Sequence, residues 1–477
     1  MTCVSRGPSL STRGMAPKKK EQDDVPAIGA RFGRVKTNLK MGIVGLPNVG
    51  KSSLFNLLTQ QAVAAENYPF CTIDPTEARC PVPDARYEYL VDTWKPPSQY
   101  PAYLWCTDIA GLIRGASEGA GLGNAFLSHI QAVDGIFHVV RCFDDSEVVH
   151  VDDSVDAVRD LETIQFELCQ KDLAYVEQQE AAEKKHLQGG KYKLSENFIF
   201  CFAKVRELLA ANTPARNFEW TNVQIEMIRE KLPALITTKP VIYLCNMSDG
   251  DFRRKKNKFL PKVHKWVQDH GGGSMIPFSI GWEQKAWELR DDPDQLAAHC
   301  AAAGDLPAAK SMLPKMVTLG YSELNLIYFF TAGEKEVRCW TIYNGSLAPQ
   351  AAGAIHSDFE RGFIKARLDH LVPCIPLTLS RQPCARLACA YTYLGRLAYA
   401  RIIDLASIDL HTPSPSPNFA SRQAEVVGYS DFKEHAVGKS MGEVKAAGKY
   451  RQEGKTYLVK DGDIIHFMFN VTAEKKI

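Results

Sequence analysis

Apolar positions in the first third of the chain alternate between the spacing of strands and the spacing of helices. A short apolar run at residues 40–44 is followed by a Gly-rich stretch, and apolar residues within 53–58 then recur at helical spacing. Four later apolar runs have the length and composition of buried strands: 103–107, 135–141, 240–246 and 274–279. This succession predicts an α/β domain with a mostly parallel sheet, helices on both faces, and a ligand at the carboxyl ends of the strands.

The middle of the chain changes to a long helical pattern. Apolar residues recur at helical spacing among many charges over 155–176, and the pattern stops at the Gly-Gly pair at 189–190. A second stripe with the same spacing follows over 194–209. The two stripes predict an antiparallel helical hairpin, inserted into the α/β domain at about 152–215. They are interpreted as the packing seam between the two helices, with a partner-binding arm as the alternative.

From residue 324 the pattern becomes strand-like and aromatic. Apolar runs at 326–331 and 337–342 are followed, near the end of the chain, by two strand patterns around the Asp-Gly turn at 461–462. These features predict a separate small mixed domain over 324–472. The stretch 367–423 does not fit it, because it contains no Lys and no Glu but six Arg and six Pro. Its composition indicates a loop, disorder, or sequence never selected to fold.

Residues 45–52 read Gly-Leu-Pro-Asn-Val-Gly-Lys-Ser, which is the spacing of a phosphate-binding loop. In such a loop backbone N–H groups surround the α- and β-phosphates, Lys51 reaches the β- and γ-phosphates, and the Ser52 hydroxyl ligates Mg²⁺. A helix beginning at Lys51 adds its positive N-terminal dipole. A Gly-rich turn without a ligand is the alternative. The order of strand, loop and helix favours the nucleotide site.

Other residues are placed to complete a nucleotide-hydrolysing site. Thr72 is expected to supply a second Mg²⁺ oxygen, Asp108 to hold Mg²⁺ through water, and the Gly111 N–H to meet the γ-phosphate. Many switch proteins carry a water-orienting Gln just after that glycine, but this chain has Leu112, which cannot hydrogen-bond. Either hydrolysis is slow or another group places the water. His150, in a polar loop after a strand, is the candidate, and an ordinary surface histidine is the alternative.

The choice of base is expected to lie at residues 246–249, Asn-Met-Ser-Asp, at the end of a strand. Guanine-binding proteins use Asn-Lys-x-Asp, in which the Asp accepts hydrogen bonds from guanine and the Lys stem covers the base. This chain keeps Asn246 and Asp249 but has Met247 in place of the Lys. These residues alone therefore leave ATP and GTP both open.

The composition of the 477-residue chain predicts two or three soluble domains, with 45% hydrophobic residues, 23% charged residues and a net charge of +2. No apolar run approaches a membrane span, and the N-terminus lacks a signal-peptide core, so a cytoplasmic protein is expected, with a nuclear or nucleolar pool as an addition. The 13 cysteines form no Cys-x-x-Cys pair and are expected to be reduced thiols.

Two segments carry local positive charge. Residues 1–40 contain nine Lys or Arg against three acids, which defines a basic tail over 1–38, and residues 253–258 form a second cluster. Each is interpreted as an RNA or ribosome contact or a nuclear import signal, with a solvated surface as the alternative. Met15 is a second plausible start of translation.

Several long motifs resemble the Obg-like ATPases, the YchF subfamily of Obg-related P-loop proteins. The resemblance is carried by residues 42–52, 67–75, 108–112, 121–124 and 348–353. It runs from about residue 15 to the C-terminus and leaves out 367–423. It implies a nucleotide-binding domain over 39–323 that is interrupted by a coiled-coil arm, followed by a β-grasp TGS domain over 324–472. It also implies ATP hydrolysis in preference to GTP hydrolysis.

The resemblance assigns roles to individual residues. It implies that Leu112 is the family's hydrophobic replacement for the catalytic Gln, and that His150 matches a loop histidine that acts in hydrolysis together with Lys51 and Gly111. Ser52 and Thr72 match the Mg²⁺ ligands, with Asp108 as the third metal residue, and Met247 is expected to lie against the base. The phosphate-binding residues that it implies are Asn48, Val49, Gly50, Lys51, Ser52 and Ser53. Asn48 also matches the asparagine of potassium-stimulated relatives.

The chain departs from the family pattern at two places. Asp249 stands where the family has Glu, which is nearer to a guanine-binding motif. The family pattern runs directly from residues 362–366 into 425–427, so the insert 367–423 interrupts one strand. A retained intron or faulty gene model is the favoured explanation, and a lineage-specific loop is the alternative.

The sequence as a whole predicts a Mg²⁺-dependent P-loop ATPase, stimulated by K⁺ in some relatives, that acts as a nucleotide-controlled switch with the ribosome or a ribosomal subunit in translation or stress. No membrane and no DNA partner is expected. A GTPase of ribosome assembly is one alternative. A nucleotide-gated module that binds RNA or the ribosome with negligible turnover is the other.

Overall fold

The computed structural model of the chain describes 32–34, 37–65, 77–109, 122–145, 147–148, 150, 154–188, 195–301, 308–361, 423–435, 444 and 446–467. Predictions for the basic tail, for Thr72, Gly111 and Leu112, and for most of 367–423 lie outside these residues.

The described residues form twelve strands and fourteen α-helices. The strands are β1 (Lys40–Val44), β2 (Glu77–Pro81), β3 (Ser98–Tyr100), β4 (Tyr103–Asp108), β5 (Gly135–Cys142), β6 (Val241–Met247), β7 (Ser274–Phe278), β8 (Leu326–Ala332), β9 (Glu336–Tyr343), β10 (Gln423–Val427), β11 (Arg451–Gly454) and β12 (Ile464–His466). The helices are α1 (Lys51–Ala65), α2 (Ala85–Trp94), α3 (Leu122–Ala132), α4 (Ala157–Gln188), α5 (Glu196–Ala210), α6 (Asn222–Lys231), α7 (Asp249–Arg254), α8 (Leu260–Asp269), α9 (Ile280–Glu288), α10 (Pro293–Cys300), α11 (Leu313–Glu323), α12 (Ala348–Ile355), α13 (Ser357–Arg361) and α14 (Tyr429–His435).

The first sheet has the strand order β2-β4-β1-β5-β6-β7, and only β2 runs antiparallel to its neighbour. Every residue of the central strand β5 is buried, as expected for a strand covered on both faces. Side chains of β5 alternate: Phe137 lies close to Gly320 of α11, while Val140 packs in a cluster with Leu161 of α4. The mostly parallel sheet between two layers of helices is therefore confirmed.

The predicted helical hairpin corresponds to α4, which ends at Gln188, and α5. The Gln165 side-chain amide donates to the backbone oxygen of Asn212, so the end of α5 returns to the first half of α4. Interpreting both stripes as one seam was incomplete, because Ile164 and Leu168 pack in the core of the sheet. From Cys169 onwards, α4 packs with α5 and α6 in a separate cluster that includes Val176. One helix thus serves two cores, which the spacing alone does not reveal.

A buried carboxylate fixes α4 to the chain that enters β6. Asp172 accepts hydrogen bonds from the backbone N–H groups of Ile236 (3.0 Å) and Thr237 (2.7 Å) and from the Thr237 hydroxyl (2.6 Å). Complete burial raises the pKa of Asp172 to about 6, although the three donors oppose that change. The middle of α4 is therefore held to the segment that precedes β6.

The second sheet has the order β11-β10-β12-β8-β9-β3. Its central strands β12 and β8 are parallel, the pairs β8–β9, β10–β12 and β10–β11 are antiparallel, and α12 packs on it through Ala348, Ala351 and Ala352. The predicted boundary at Leu324 falls between α11 and β8. Gln423, assigned from composition to the insert, is the first residue of β10.

Strand pairing and hydrogen-bonded ion pairs are among the contacts that join the second sheet to the part of the chain that forms the first sheet. Strand β3 pairs in parallel with β9, although about 240 residues separate them along the chain. Arg86 of α2 contacts the carboxylates of Asp84 (2.7 Å) and Asp461 (2.8 Å), and the Tyr328 hydroxyl donates to Asp84.

None of the described helices combines the length and the apolar composition that a membrane span requires. The eight described cysteines are free thiols.

Candidate nucleotide-binding site

The phosphate loop has a backbone that only some residues adopt. It connects β1 to α1, which begins at Lys51 as predicted. Asn48 has φ 61° and Gly50 has φ 103°, both in the left-handed region that favours Gly and Asn. A Cβ at Gly45 would lie 2.6 Å from the backbone oxygen of Val139, and one at Gly50 would lie 2.2 Å from Cδ1 of Ile280. Gly45 is therefore required by a backbone contact and Gly50 by its left-handed φ, independently of any ligand.

Lys51 lies across this loop. Its Nζ donates to the backbone oxygen of Leu46 at 2.7 Å, and the residue is only 8% exposed. Burial lowers the pKa of Lys51 to about 8, while the nearby Asp108 carboxylate acts in the opposite direction. The cation and the carboxylate thus belong to one site, as the sequence motifs require.

Asp108 supplies the group that best tests whether Mg²⁺ fits. It is the last residue of β4, and its buried Oδ1 has no hydrogen-bond partner among the described residues. A buried carboxylate oxygen without a donor is costly unless a cation or water satisfies it. Ser52 lies in the first turn of α1, so that a hydroxyl and a carboxylate are available. Such oxygen ligands suit Mg²⁺.

Asn246 connects the phosphate loop to the turn between β7 and α9. Its Nδ2 donates to the backbone oxygen of Val49 (3.0 Å), and its Oδ1 accepts from the N–H of Ile280 (3.1 Å). The side chain is buried, so both hydrogen bonds are protected from water. The residue predicted to read the base therefore also positions the phosphate loop.

Met247 lies elsewhere than predicted. It is 3% exposed and packs in a cluster with Val140, Cys142 and Trp266. The reason is the alternation of β6, which turns Asn246 towards the phosphate loop and its neighbour towards the opposite face. The structure thus places Met247 in the core instead of leaving it open to a base.

Asp249 is held by a residue that the sequence did not single out. It begins α7, and its Oδ1 accepts a hydrogen bond of 2.6 Å from the Ser279 hydroxyl. A Cβ at Gly281 would lie 2.7 Å from the same oxygen, so the Ser279–Gly281 turn closely surrounds the carboxylate. A Ser-x-Gly sequence directly after the last strand was the available signal. The Ser279 hydroxyl therefore fixes the carboxylate of the residue that is expected to contact the base.

His150 is buried, which excludes the alternative of an ordinary surface histidine. Its side chain is 3% exposed, and Nε2 lies 3.0 Å from Oδ2 of Asp160 in the first turn of α4. The chain before it is held by Arg141, whose guanidinium donates to the backbone oxygens of Phe143, Asp145 and Val148. Neither Arg141 nor Asp160 was predicted, since their partners are backbone oxygens and a residue in another element.

Two family models match the chain. One, described as "50S ribosome-binding GTPase", matches residues 40–176, which include the phosphate loop and the first half of α4. The other is the C-terminal model of YchF GTPases, described as "Protein of unknown function (DUF933)", and matches 326–377 and 418–470.

Full-length relatives decide the family. Obg-like ATPase 1 of Oryza sativa subsp. japonica is 46% identical over 463 residues, which are 97% of this chain and 100% of the relative. The chain belongs to the Obg-like ATPase family. Obg-like ATPase 1 of Homo sapiens is 42% identical over 467 residues, covering 96% of this chain and 99% of the relative. The solved YchF GTPase of Schizosaccharomyces pombe is 38% identical, with a TM-score of 0.68. The match covers 92% of this chain and 100% of the solved chain.

Membership in the Obg-like ATPase family confirms the resemblance found in the motifs and the fold class of the nucleotide-binding half. The C-terminal match also refines the anomalous segment. Composition predicted an insert over 367–423, whereas the family model leaves out only 378–417. The flanks of the predicted insert are therefore matched by the family, and the unmatched part is shorter than its composition indicated.

Proposed function

We propose that this Obg-like protein is a Mg²⁺-dependent ATPase that forms ADP and phosphate and acts as a nucleotide-controlled switch. One observation carries the proposal: Lys51 and a buried Asp108 oxygen, which has no hydrogen-bond partner among the described residues, lie together at a phosphate loop with two left-handed residues. A cation, a carboxylate and converging amides are the groups that phosphoryl transfer requires, because its catalysis rests on charge neutralisation and positioning.

The chain's own residues have separate tasks in this reaction. Ser52 and Asp108 would hold Mg²⁺, with Thr72 as the further ligand expected from the sequence. The bound ion would neutralise charge on the β- and γ-phosphates. Lys51 exchanges its hydrogen bond to Leu46 for the phosphate oxygens, and the amides of residues 48–53 surround them. His150 places the attacking water, since Leu112 cannot, and the Gly111 N–H meets the γ-phosphate.

The choice of ATP is supported by the relatives named Obg-like ATPase 1 and by the absence of a lysine at Met247. The test is turnover of ATP and GTP by the purified chain with Mg²⁺, with EDTA as the metal-free control, and with K⁺ exchanged for Na⁺. We expect Mg²⁺-dependent ATP hydrolysis that K⁺ stimulates. If ATP and GTP displaced a bound, labelled ATP analogue equally well, the preference for ATP would be contradicted.

GTP hydrolysis is the second candidate, and one contact favours it. The Ser279 hydroxyl fixes the Asp249 carboxylate, the acceptor that guanine requires, and a solved relative is titled a GTPase. The matched variant Asp249→Glu restores the residue usual in the family. We expect it to lower GTP affinity by about three- to tenfold while ATP affinity changes little. Unchanged GTP affinity would exclude Asp249 as a base-reading residue.

The proposed setting is the cytoplasm, with the ribosome or a ribosomal subunit as partner and a nuclear pool as an addition. Its support is the matched family described as ribosome-binding GTPases and the basic tail. The order β9-β8-β12-β10-β11, with a parallel central pair, supports a β-grasp TGS domain. Co-sedimentation with purified ribosomal subunits, with and without a non-hydrolysable ATP analogue, tests the partner. Binding without detectable turnover would favour a nucleotide-gated binding module.

A further inference from the structure

We propose that Asp160 is a positioning residue that holds His150 out of the reaction, so that release of His150 limits the rate of hydrolysis. This inference rests on the proposed role of His150 in placing the attacking water. It assigns a function to a residue of α4 that belongs to no nucleotide-binding motif.

The first support is the orientation of the imidazole. Nε2, the outer nitrogen of the ring, lies 3.0 Å from Oδ2 of Asp160, and the two side chains are 3% and 5% exposed. To place a water at the γ-phosphate, His150 must present a ring nitrogen to that water. The outer nitrogen is already used by Asp160, and burial strengthens such a hydrogen bond. In the observed arrangement the outer nitrogen of His150 is therefore not available to a water.

The second support is the fixation of the chain that leads to His150. Arg141 is 1% exposed, and its guanidinium donates to the oxygens of Phe143 (3.3 Å), Asp145 (3.2 Å) and Val148 (3.0 Å). Asn257 adds a hydrogen bond to the backbone oxygen of Cys142. The segment is thus held at β5 by Arg141 and at α4 by Asp160.

A carboxylate beside a histidine has an opposite use in other hydrolases, where it orients the ring and stabilises its charged form. In that arrangement the carboxylate binds one nitrogen and leaves the other directed at the reacting groups. Here the Asp160 carboxylate binds the outer nitrogen inside a buried contact. The two arrangements predict opposite effects of removing the carboxylate, which makes them distinguishable.

The experiment is single-turnover hydrolysis of ATP by the full chain and the variants Asp160→Ala, His150→Ala and the double variant. Asp160→Ala should raise the rate about five- to tenfold, the effect of losing one buried hydrogen bond on an equilibrium between held and released forms. ATP affinity should not change. The gain should disappear in the double variant, because Asp160 acts through His150.

Asp156→Ala is the matched control. Asp156 also lies at the start of α4, where its Oδ1 accepts from the N–H groups of Val158 and Arg159. Its loss weakens the same helix end without touching His150, so its hydrolysis rate should stay at the wild-type value. A rise equal to that of Asp160→Ala would assign the effect to the helix end and overturn the proposal.

The outcomes separate this inference from the proposed function. If His150→Ala leaves the rate unchanged, the role of His150 in hydrolysis fails, and this inference fails with it. If His150→Ala slows hydrolysis but Asp160→Ala lowers the rate or leaves it unchanged, the inference alone is overturned.

A measurement on the wild-type chain covers the case in which Asp160→Ala does not fold. Exchange of the imidazole C2 hydrogen of His150 with deuterium, followed by mass spectrometry, should be slow without nucleotide and faster with a non-hydrolysable ATP analogue. An unchanged exchange rate would overturn the proposal.

Discussion

The two ends of the nucleotide site are constructed differently. The phosphate end is one continuous stretch, residues 45–52, whose shape follows from two glycines and one left-handed asparagine. The expected base end is assembled from β6, the start of α7 and the turn at 279–281, which meet only in the folded chain. A continuous motif fixes its chemistry locally, whereas an assembled site depends on contacts that no short sequence specifies.

The two ends are not independent, because the side chain of Asn246 contacts both of them. Its amide holds the Val49 oxygen of the phosphate loop and the Ile280 N–H of the base end. A Cβ at Gly50 would lie 3.1 Å from its Nδ2. Substitutions can therefore be ordered by the end on which they act. Some act on the phosphate end, one acts on the residue shared by both ends, and one acts on base choice alone.

Lys51→Ala should have the largest effect and should act on the phosphate end only. Removing the cation should lower ATP and GTP hydrolysis by about 10²–10³-fold, because the negative charge of the transferred phosphoryl group loses its main protein partner. Steady-state phosphate release measures it, with the thermal unfolding midpoint as the check on folding. Retained turnover would refute the assignment of the phosphate site.

Gly50→Ala should come next. A φ of 103° strains any residue with a Cβ, and the added atom would meet Ile280. We expect affinity for both nucleotides to fall by about ten- to a hundredfold, measured by titration calorimetry. Gly272→Ala is the matched control, since Gly272 has φ 76° but no heavy atom near its missing Cβ. Similar affinity losses in both variants would mean that backbone strain acts globally.

Asn246→Ala tests the connection between the two ends. The loss of two buried hydrogen bonds should reduce affinity for ATP and GTP alike by about tenfold. Asn257→Ala serves as control, because Asn257 is equally buried and bonds Cys142 and Asp251 away from the phosphate loop. It should lose stability but not affinity. An effect of Asn246→Ala on one nucleotide only would show that the ends are independent.

Ser279→Ala should have the smallest effect and should act on base choice alone. Without the Ser279 hydroxyl the Asp249 carboxylate loses its orientation, so the ratio of GTP affinity to ATP affinity should fall about threefold. Competition binding with both nucleotides measures the ratio, and ATP affinity is the internal reference. A fall in both affinities would mean that Ser279 supports the turn and not the carboxylate.

The sequence predicted what local patterns encode. The start of α1 at Lys51, the end of α4 at Gln188 and the run of buried strands follow from spacing and motif. Asp160 and Ser279 escaped prediction because their roles depend on hydrogen bonds to residues outside their own elements, and Arg141 because its partners are backbone oxygens. Met247 was misplaced because its neighbour Asn246 takes the face towards the phosphate loop. Periodicity gives the faces of an element, and tertiary contacts decide which face meets the ligand.

The pairing of β3 with β9 determines what is exposed when the chain is cut between its two sheets. Strand β3 covers the outer hydrogen-bonding groups of β9, and Arg338 of β9 stacks over the Tyr100 ring. A fragment that starts at residue 324 would carry β9 as an open edge, a ready template for another copy of itself. Truncations made at the apparent domain boundary are therefore expected to self-associate, and a fragment of the nucleotide-binding half loses the partner of β3.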